Sequence, residues 1–233
     1  MDALGAPNRY TIGHAHYLSS PLMNQTPSKL AAKPKVPVTA RGEATRRRLL
    51  NAAEIEFGDK GYHEASVSSI TTRADVAQGT FYLYFNSKEE IFLNLVRDIG
   101  HALRKHTAEA LAGIKNRMDA ERRGLEAFLE FTSKHPGLYR IVQESQFVDN
   151  QVFREYYERL AEGYGEGLNL AAKAGYLSAG DGDARAWAVM GIGHFLGLRY
   201  CLWQKKLPEK AVMDEVMNFI ASGMAPVKIL PRK

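Results

Sequence analysis

The apolar positions of this chain repeat with a helical period from about residue 43 onward. Leu49, Leu50, Ala53 and Phe57 recur at three- and four-residue steps until Gly61 interrupts the run. This pattern predicts a first helix over about residues 43–60. No strand-like alternation and no internal repeat emerges from the sequence. We therefore expect an all-α fold of about nine helices.

Two short helices around a tight turn are predicted between Ser66 and Glu90. Their apolar residues define two helical faces, Val67, Ile70 and Ala74 on the first and Phe81, Tyr84 and Phe85 on the second. Ser66 suits the N-cap of the first helix, and Asp75 falls in the turn, where a positive φ is common. The second helix is expected from about Gln78 to Phe85. This is a helix-turn-helix pattern, which suggests a hypothesis of DNA reading.

Capping and breaking signals divide the rest of the chain. Ser87 to Glu90 is a capping-box pattern that predicts a helix from Lys88 past Leu103. His135-Pro136 forces a boundary, because a residue before proline avoids the α region. The remaining helices are expected over about residues 119–134, 137–147, 149 or 150 to 175, 184–204 and 209–222.

Residues 1–40 differ in composition from the rest. They contain five of the nine prolines, show no sustained period and carry four cations against Asp2 alone. A disordered arm is the interpretation. Two roles stay open, a basic arm that contacts DNA and an extension with no role.

Composition excludes several classes of protein. Cys201 is the only cysteine among 233 residues, so neither a disulfide framework nor a multi-cysteine zinc site is possible within the chain. No apolar stretch reaches the about 18 to 20 residues of a membrane-spanning helix, and the first residues lack a secretory pattern. We expect a cytoplasmic protein without a membrane partner.

Charge alone does not mark the helix-turn-helix segment as basic. The net charge of the whole chain is +5, but from Arg41 to Asn86 six cations face six acids. The cations cluster near the start of the first helix, so a positive face remains possible.

Residues 43–95 resemble the DNA-binding module of TetR/AcrR-type bacterial transcriptional regulators. The resemblance rests on Gly61-Tyr62, on Val67 with Ile70, and on the run from Ala74 to Glu89, which reads ADVAQGTFYLYFNSKE. Two positions depart from the family pattern. Asp75 stands where glycine is usual in the turn, and Ala77 where the family often has a capping serine, which removes a side-chain cap worth about 1 kcal/mol.

The resemblance implies DNA-contacting roles for Arg47, Ser66, Ser68, Gln78, Gly79, Thr80, Tyr82, Tyr84 and Lys88. Gln78 and Thr80 match positions near base edges or phosphates, and Gly79 lets the backbone come close. Tyr82 is favoured over Tyr84 as the outward tyrosine, and Lys88 matches a phosphate-binding lysine. Arg47 is either a phosphate clamp or part of a solvated basic face. Ser66 is either a backbone contact or only a cap.

The second half of the chain is rich in large side chains, most of which are expected in an ordinary helical core. The resemblance implies that some line an effector cavity, mainly apolar with a few polar groups. The candidate effector-binding residues are Phe128, Thr132, Tyr139, Gln143, Tyr157, Trp187 and His194. A small hydrophobic or aromatic effector follows, with a fatty acyl thioester as one candidate.

Enzyme-like signals are weak. Gly191 to Gly197 has the wrong spacing for a dinucleotide loop and lies within a predicted helix, where its glycines suit close helix packing. No nucleophile, base or metal set converges, so no catalytic residue, metal site or cofactor is predicted.

The expected organisation is the arm at 1–40, a helix-turn-helix DNA-binding domain at 41–87, a helical ligand-binding and dimerisation domain at 88–225, and a tail at 226–233. By resemblance, the leading hypothesis is a homodimeric repressor that binds a palindromic double-stranded DNA operator. The alternative is an all-α small-molecule binding protein without specific DNA reading.

Overall fold

The computed structural model describes residues 39–225, and these residues contain nine α-helices and no strand. The helices are α1 Ala40–Lys60, α2 Val67–Arg73, α3 Gln78–Phe81, α4 Lys88–Leu111, α5 Arg117–Lys134, α6 Pro136–Val148, α7 Asn150–Lys173, α8 Gly182–Leu196 and α9 Lys210–Met224. A π-helical segment, Gly197–Trp203, continues α8. The chain divides into two compact units between Phe92 and Leu93, so α4 supplies residues to both. Most of the expected arm and all of the expected tail lie outside the described residues.

The first unit is built by α1, α2, α3 and the start of α4 around an aromatic core. Phe57, Phe81 and Phe85 are all buried, and the ring of Phe92 meets that of Phe57 edge to face at 5.0 Å. Helix α1 begins three residues earlier than expected, because the Thr39 hydroxyl accepts a hydrogen bond from the Gly42 amide. It ends at Lys60, and the following Gly61 has a φ of 85°, which only glycine adopts readily.

The second unit packs α5 and α7 to α9 around a core of aliphatic and methionine side chains. Leu129 and Leu168 are almost completely buried, and Met213 and Met217 of α9 belong to the same cluster. Asp149 caps α7 and Asp181 caps α8 through their carboxylates. Pro136 opens α6 directly after His135, as the sequence predicted.

Two predicted elements were wrong in extent. The recognition helix expected over Gln78–Phe85 is the four-residue α3, because the amides of Leu83 and Tyr84 bond to carbonyls three residues back. The single helix expected over 184–204 changes to π geometry at Gly197.

None of the helices in the described part of the chain has the length and apolar character needed to cross a membrane.

Candidate nucleic-acid interface and effector cavity

The first helix of the helix-turn-helix is fixed by a reciprocal cap. The Ser66 hydroxyl accepts from the Ser69 amide at 3.0 Å, and the Ser66 amide donates to the Ser69 hydroxyl at 3.1 Å. The capping role of Ser66 is therefore confirmed, and its oxygen is already engaged. Ser68 is exposed on the first turn of α2, where its hydroxyl can reach a phosphate.

The turn into α3 depends on Asp75. Its φ is 53°, as its place in the turn predicted, and the Val76 amide then bonds back to the Thr71 carbonyl at 3.1 Å. Ala77 stands at the N-cap of α3 without a side-chain hydrogen bond. The first turn of α3 thus has amides that no side chain of the cap satisfies.

The exposed side of α3 gathers the residues expected to read DNA. Gln78 and Gly79 are exposed, Thr80 is half-buried, and a Cβ added to Gly79 would meet nothing within 4 Å. Tyr82 is the outward tyrosine, 47% exposed, whereas Tyr84 is half-buried. Phe81 lies fully buried beneath them. A short element that presents polar and small residues from a rigid aromatic base can approach a major groove.

Leu83 is a surface residue that the sequence analysis missed. It is largely exposed directly beside Tyr82. The helix predicted to extend to Phe85 gave Leu83 no role. In the tighter turn that forms, its side chain faces solvent. An apolar side chain there is suited to a thymine methyl group.

Lys88 points into the protein rather than outward. Its ammonium donates to the carbonyl oxygens of Tyr62 at 2.8 Å, Ala65 at 3.0 Å and His63 at 3.4 Å, and it lies 4.4 Å from the centre of the Tyr62 ring. An ammonium has three hydrogens, so these carbonyls occupy them all. The geometry disfavours the expected phosphate contact and makes Lys88 a tie between α4 and the loop before α2.

A buried carboxylate holds α2 against α1. Glu56 accepts from Lys60 at 2.7 Å and from Arg73 at 2.6 Å. Burial alone would raise its pKa, but the hydrogen bonds from Lys60, Arg73 and Ser69 and the charge of Arg73 lower it to about 2. Arg73 precedes the turn, so this pair positions the entry to α3.

The surface of this unit is more positive than the sequence count indicates. Of the six acids between residues 41 and 86, Glu54 and Glu56 are buried. Burial raises the pKa of Glu54 to about 7, so much of it is uncharged at neutral pH. Arg47 and Arg48 are exposed, while Arg46 lies 5.4 Å from the centre of the Phe85 ring. The cations near the start of α1 thus form an exposed basic face.

The second unit contains a cavity of about 490 Å³ between α4, α5, α6, α7 and α8. This volume lies within the range of about 300–1,000 Å³ common for small-molecule sites. Six of the seven candidate effector residues line it, namely Phe128, Thr132, Tyr139, Gln143, Tyr157 and His194. Trp187 does not line the cavity, contrary to its prediction as an effector-binding residue. It is 43% exposed, and its ring centre lies 6.4 Å from that of Tyr157.

Two polar pairs interrupt the apolar wall. The Tyr139 hydroxyl lies 2.8 Å from Nδ1 of His194 and 3.2 Å from the carbonyl oxygen of the same residue. Gln143 donates to the Tyr157 hydroxyl at 3.0 Å. Burial raises the pKa of Tyr139 well above that of free tyrosine and lowers that of His194, so both are neutral near pH 7. The pairs can orient a ligand through neutral hydrogen bonds.

Three arginines and a glutamate also line the cavity, and sequence analysis missed them. Glu121 is buried, pairs with Arg117 and accepts from the Tyr164 hydroxyl. The four-residue spacing of Arg117 and Glu121 was the available signal. Arg104 and Arg159 lie on α4 and α7 among mixed charges, where no spacing distinguishes them from solvated residues.

The glycines at the end of α8 and at the start of the π-helical segment lie on two sides of the helix. A Cβ at Gly193 would lie 3.3 Å from Cδ1 of Leu125, and one at Gly197 would lie 3.4 Å from Cε1 of Phe128. These two positions permit close packing on α5, as the sequence predicted. A Cβ at Gly191 would meet nothing within 4 Å, so this glycine faces outward.

Comparisons with known proteins agree with this geometry. Residues 49–95 match the family model of bacterial regulatory proteins, tetR family. The chain is 33% identical over 193 residues to the HTH-type transcriptional regulator YdgC of Bacillus subtilis (strain 168), covering 80% of this chain and 96% of that protein. It is 32% identical over 103 residues to the HTH-type transcriptional activator FasR of Mycolicibacterium smegmatis, covering 44% of this chain and 47% of FasR.

A solved structure is similar over most of the fold. The fatty acid degradation regulator FadR from Bacillus halodurans superposes with a TM-score of 0.67 at 20% identity, covering 77% of this chain and 95% of that one.

Proposed function

Because the chain belongs to the TetR family of bacterial transcriptional regulators, we propose that it is a homodimeric repressor of transcription. It binds a palindromic operator and is released by a small hydrophobic effector. The observation that carries the proposal is the exposed Gln78, Gly79 and Tyr82 on a buried aromatic base. As a regulator of bacterial DNA, it acts in the cytoplasm.

DNA reading on this proposal depends on placed contacts. Gln78 and Thr80 approach base edges, the first amides of α3 and the Ser68 hydroxyl approach phosphates, and Arg47 adds a cation from α1. The formal charges of residues 41–86 cancel, so the basic face near the start of α1 adds to these contacts but does not replace them.

Dimerisation is supported by an outer apolar surface, defined here by Gly191, Phe195, Trp203, Phe219 and Gly223. Phe195 is 70% exposed and Phe219 is 72% exposed, and a Cβ at Gly223 would meet nothing within 4 Å. Large exposed aromatic residues beside open glycines suit the close approach of helices from a second copy. Two copies would place their recognition helices in major grooves about 34 Å apart.

The effector occupies the cavity of the second unit. The wall is mainly apolar with neutral polar pairs, and FadR of Bacillus halodurans is named a fatty acid degradation regulator. A fatty acyl derivative, such as an acyl thioester, is therefore the candidate class. Release requires that the effector bind the dimer state with mismatched recognition helices more tightly than the operator-bound state. Helix α4, which supplies residues to both units, connects the two events.

The test is a footprint and a fluorescence anisotropy titration of the full-length protein on DNA from upstream of its own gene. We expect a palindromic protected site. Gln78→Ala should weaken operator binding by about 10- to 100-fold, because it removes a base contact. Gln151→Ala, an exposed position at the start of α7, is the matched control and should leave the affinity unchanged.

A folded dimer that shows no sequence-dependent DNA binding would reject this function. The small-molecule binding protein without DNA reading would then be the better description. A footprint that persists while transcription rises would instead establish an activator, as the name of FasR describes for that relative.

A further inference from the structure

The cavity wall has more positive than negative charge. Among the described residues that line it are three arginines and one carboxylate, that of Glu121. Glu121 already pairs with Arg117. Within residues 39–225 no ion pair or hydrogen bond engages the guanidinium of Arg104 or of Arg159. Two guanidinium groups thus stand at the cavity without a carboxylate.

These two arginines are close enough to repel each other. Burial and then the charge of Arg159 lower the pKa of Arg104, although an arginine stays protonated in proteins. Both also line a second, much smaller cavity. Glu155 also lines that cavity, but its carboxylate accepts from Gln151 and forms no ion pair with either arginine among the described residues. Like charges without a counterion raise the free energy of the empty site, and an oxyanion between them would lower it.

Gly100, one turn earlier on α4, leaves room for the guanidinium of Arg104. A Cβ at Gly100 would lie 3.3 Å from Nη1 of Arg104 and 3.0 Å from Cδ2 of Tyr156. The absent side chain lets the guanidinium fold back beside the Tyr156 ring. Burial raises the pKa of Tyr156 well above its ordinary value, so its hydroxyl keeps its proton and can donate. Two cations and a neutral donor thus meet in one corner.

The rest of the wall is chemically different. Leu103, Phe128, Leu160 and Val189 belong to the same cavity of about 490 Å³. A ligand that satisfies both parts has an apolar chain and one oxyanion group.

We propose that the effector is an amphipathic anion whose carboxylate or phosphate group binds Arg104 and Arg159 while its apolar chain fills the cavity. This assignment deepens the proposed function and rests on it for the regulatory consequence. Binding itself does not require DNA, so the two can be tested apart.

The experiment is calorimetric titration of the full-length protein with three twelve-carbon probes. Dodecanoate carries a carboxylate, dodecanoyl-coenzyme A carries phosphates, and 1-dodecanol carries no charge. At least one anionic probe should bind about tenfold or more tightly than the alcohol, because charge-assisted hydrogen bonds add to chain burial. The probe that shows this preference identifies the source of the oxyanion.

Variants assign the preference to the two arginines. Arg104→Gln and Arg159→Gln should each weaken binding of the preferred anion by about tenfold or more and leave the alcohol unchanged. Arg154→Gln is the matched control, because Arg154 lies on α7 with Arg159 but pairs with Glu158 and does not line the cavity. It should change the affinity less than about twofold. Circular dichroism verifies the fold of each variant.

Equal affinity for the alcohol and both anions would overturn the proposal, as would failure of both anions to bind or unchanged affinity in both arginine variants. Operator binding is measured without any probe, so its failure would reject the proposed function and leave this assignment intact. If 1-dodecanol released the operator and neither anion did, the assignment of an anionic effector would be rejected and the proposed function would stand.

Discussion

Glu54 and Glu56 lie two positions apart on α1, are both buried, and have pKa values moved in opposite directions. Glu56 lies between Lys60 and Arg73 and stays ionised far below neutral pH. Burial is the cause of the shift at Glu54, whose pKa rises to about 7. The same side chain thus stabilises the folded state at one position and opposes it, when ionised, at the other.

The shift at Glu54 predicts a pH-dependent gain from Glu54→Gln. A raised pKa means that the folded protein binds a proton more tightly than the unfolded chain does. Stability is therefore lost as pH rises from about 4.5 to about 7 and stays reduced above that range. Glutamine keeps the shape without the charge. At pH 8 the free energy of unfolding should rise by up to about 3 kcal/mol, and at pH 5 by much less.

Urea unfolding at the two pH values measures this difference. Glu64→Gln, at an exposed position of the same unit, provides the control and should show no such dependence. An equal gain for Glu54→Gln at pH 5 and pH 8 would attribute the effect to packing instead.

At this scale the sequence could predict backbone features better than burial. Asp75 at positive φ and Ser66 as a cap depend on neighbours in the chain. The burial of Glu54 and Glu56 depends on other elements that cover more of α1 than its Leu49, Leu50, Ala53 and Phe57 stripe. No local pattern contains that information, so a count of charges along the sequence treats all six acids alike.

At the scale of elements, the Lys88 ammonium joins the start of α4 to the loop before α2. Lys88→Met keeps most of the side-chain volume but removes the donors and the charge over the Tyr62 ring. The carbonyls of Tyr62 and Ala65 then lose a partner. We expect the free energy of unfolding to fall by about 1–3 kcal/mol.

Arg47→Gln is the matched comparison, since Arg47 is exposed on α1. If Arg47 contacts phosphate, its loss should leave thermal stability unchanged and lower the salt slope of operator binding by about one. Thermal unfolding and anisotropy at several salt concentrations measure both effects. If Lys88→Met left the stability unchanged and lowered the salt slope of operator binding, the phosphate contact of Lys88 expected from the sequence would be supported instead.

Helix starts were predictable where a side chain marks them, as at Ser66, Ser87 and Asp149. Changes of helical geometry were not. The apolar spacing from Phe81 to Phe85 fits an α-helix as well as the tighter turn that forms. Around Gly197 the sequence is apolar on all sides, so no periodicity could reveal the change to π geometry.

At the scale of the whole molecule, the outer apolar surface predicts a dimer that charge can disrupt. Phe195→Glu and Phe219→Glu should each convert a dimer to a monomer at micromolar concentration. A symmetric interface contains each substitution twice, so its dissociation constant should rise about 100-fold or more. Operator affinity should fall with it.

Size-exclusion chromatography with light scattering measures the mass. Phe147→Glu is the control, because Phe147 is 80% exposed but lies on α6, outside the outer apolar surface. It should leave the dimer intact. A dimer that survives both the Phe195 and Phe219 substitutions would require a different interface.

The cavity shows how far a resemblance can locate a site. Six of the seven aromatic or polar candidates line the cavity, because they recur on the inner faces of helices; their contact with an effector stays a prediction. Trp187 was misplaced because helix α8 is apolar around its whole circumference, so its inner face could not be chosen. Arg104 and Arg159 were missed because they lie on α4 and α7, which are distant in sequence, and no local spacing indicates that the two side chains meet at one cavity.

Two glycines of α8 lie on opposite sides of this helix. Gly191 and Gly193 are two residues apart, and side chains at that spacing point to nearly opposite sides of a helix. Gly193 lines the cavity and Gly191 faces outward. At this turn, no side chain but only the backbone of α8 separates the cavity from the outer surface of the helix. A molecule pressing on one face pushes directly on the backbone that forms the other.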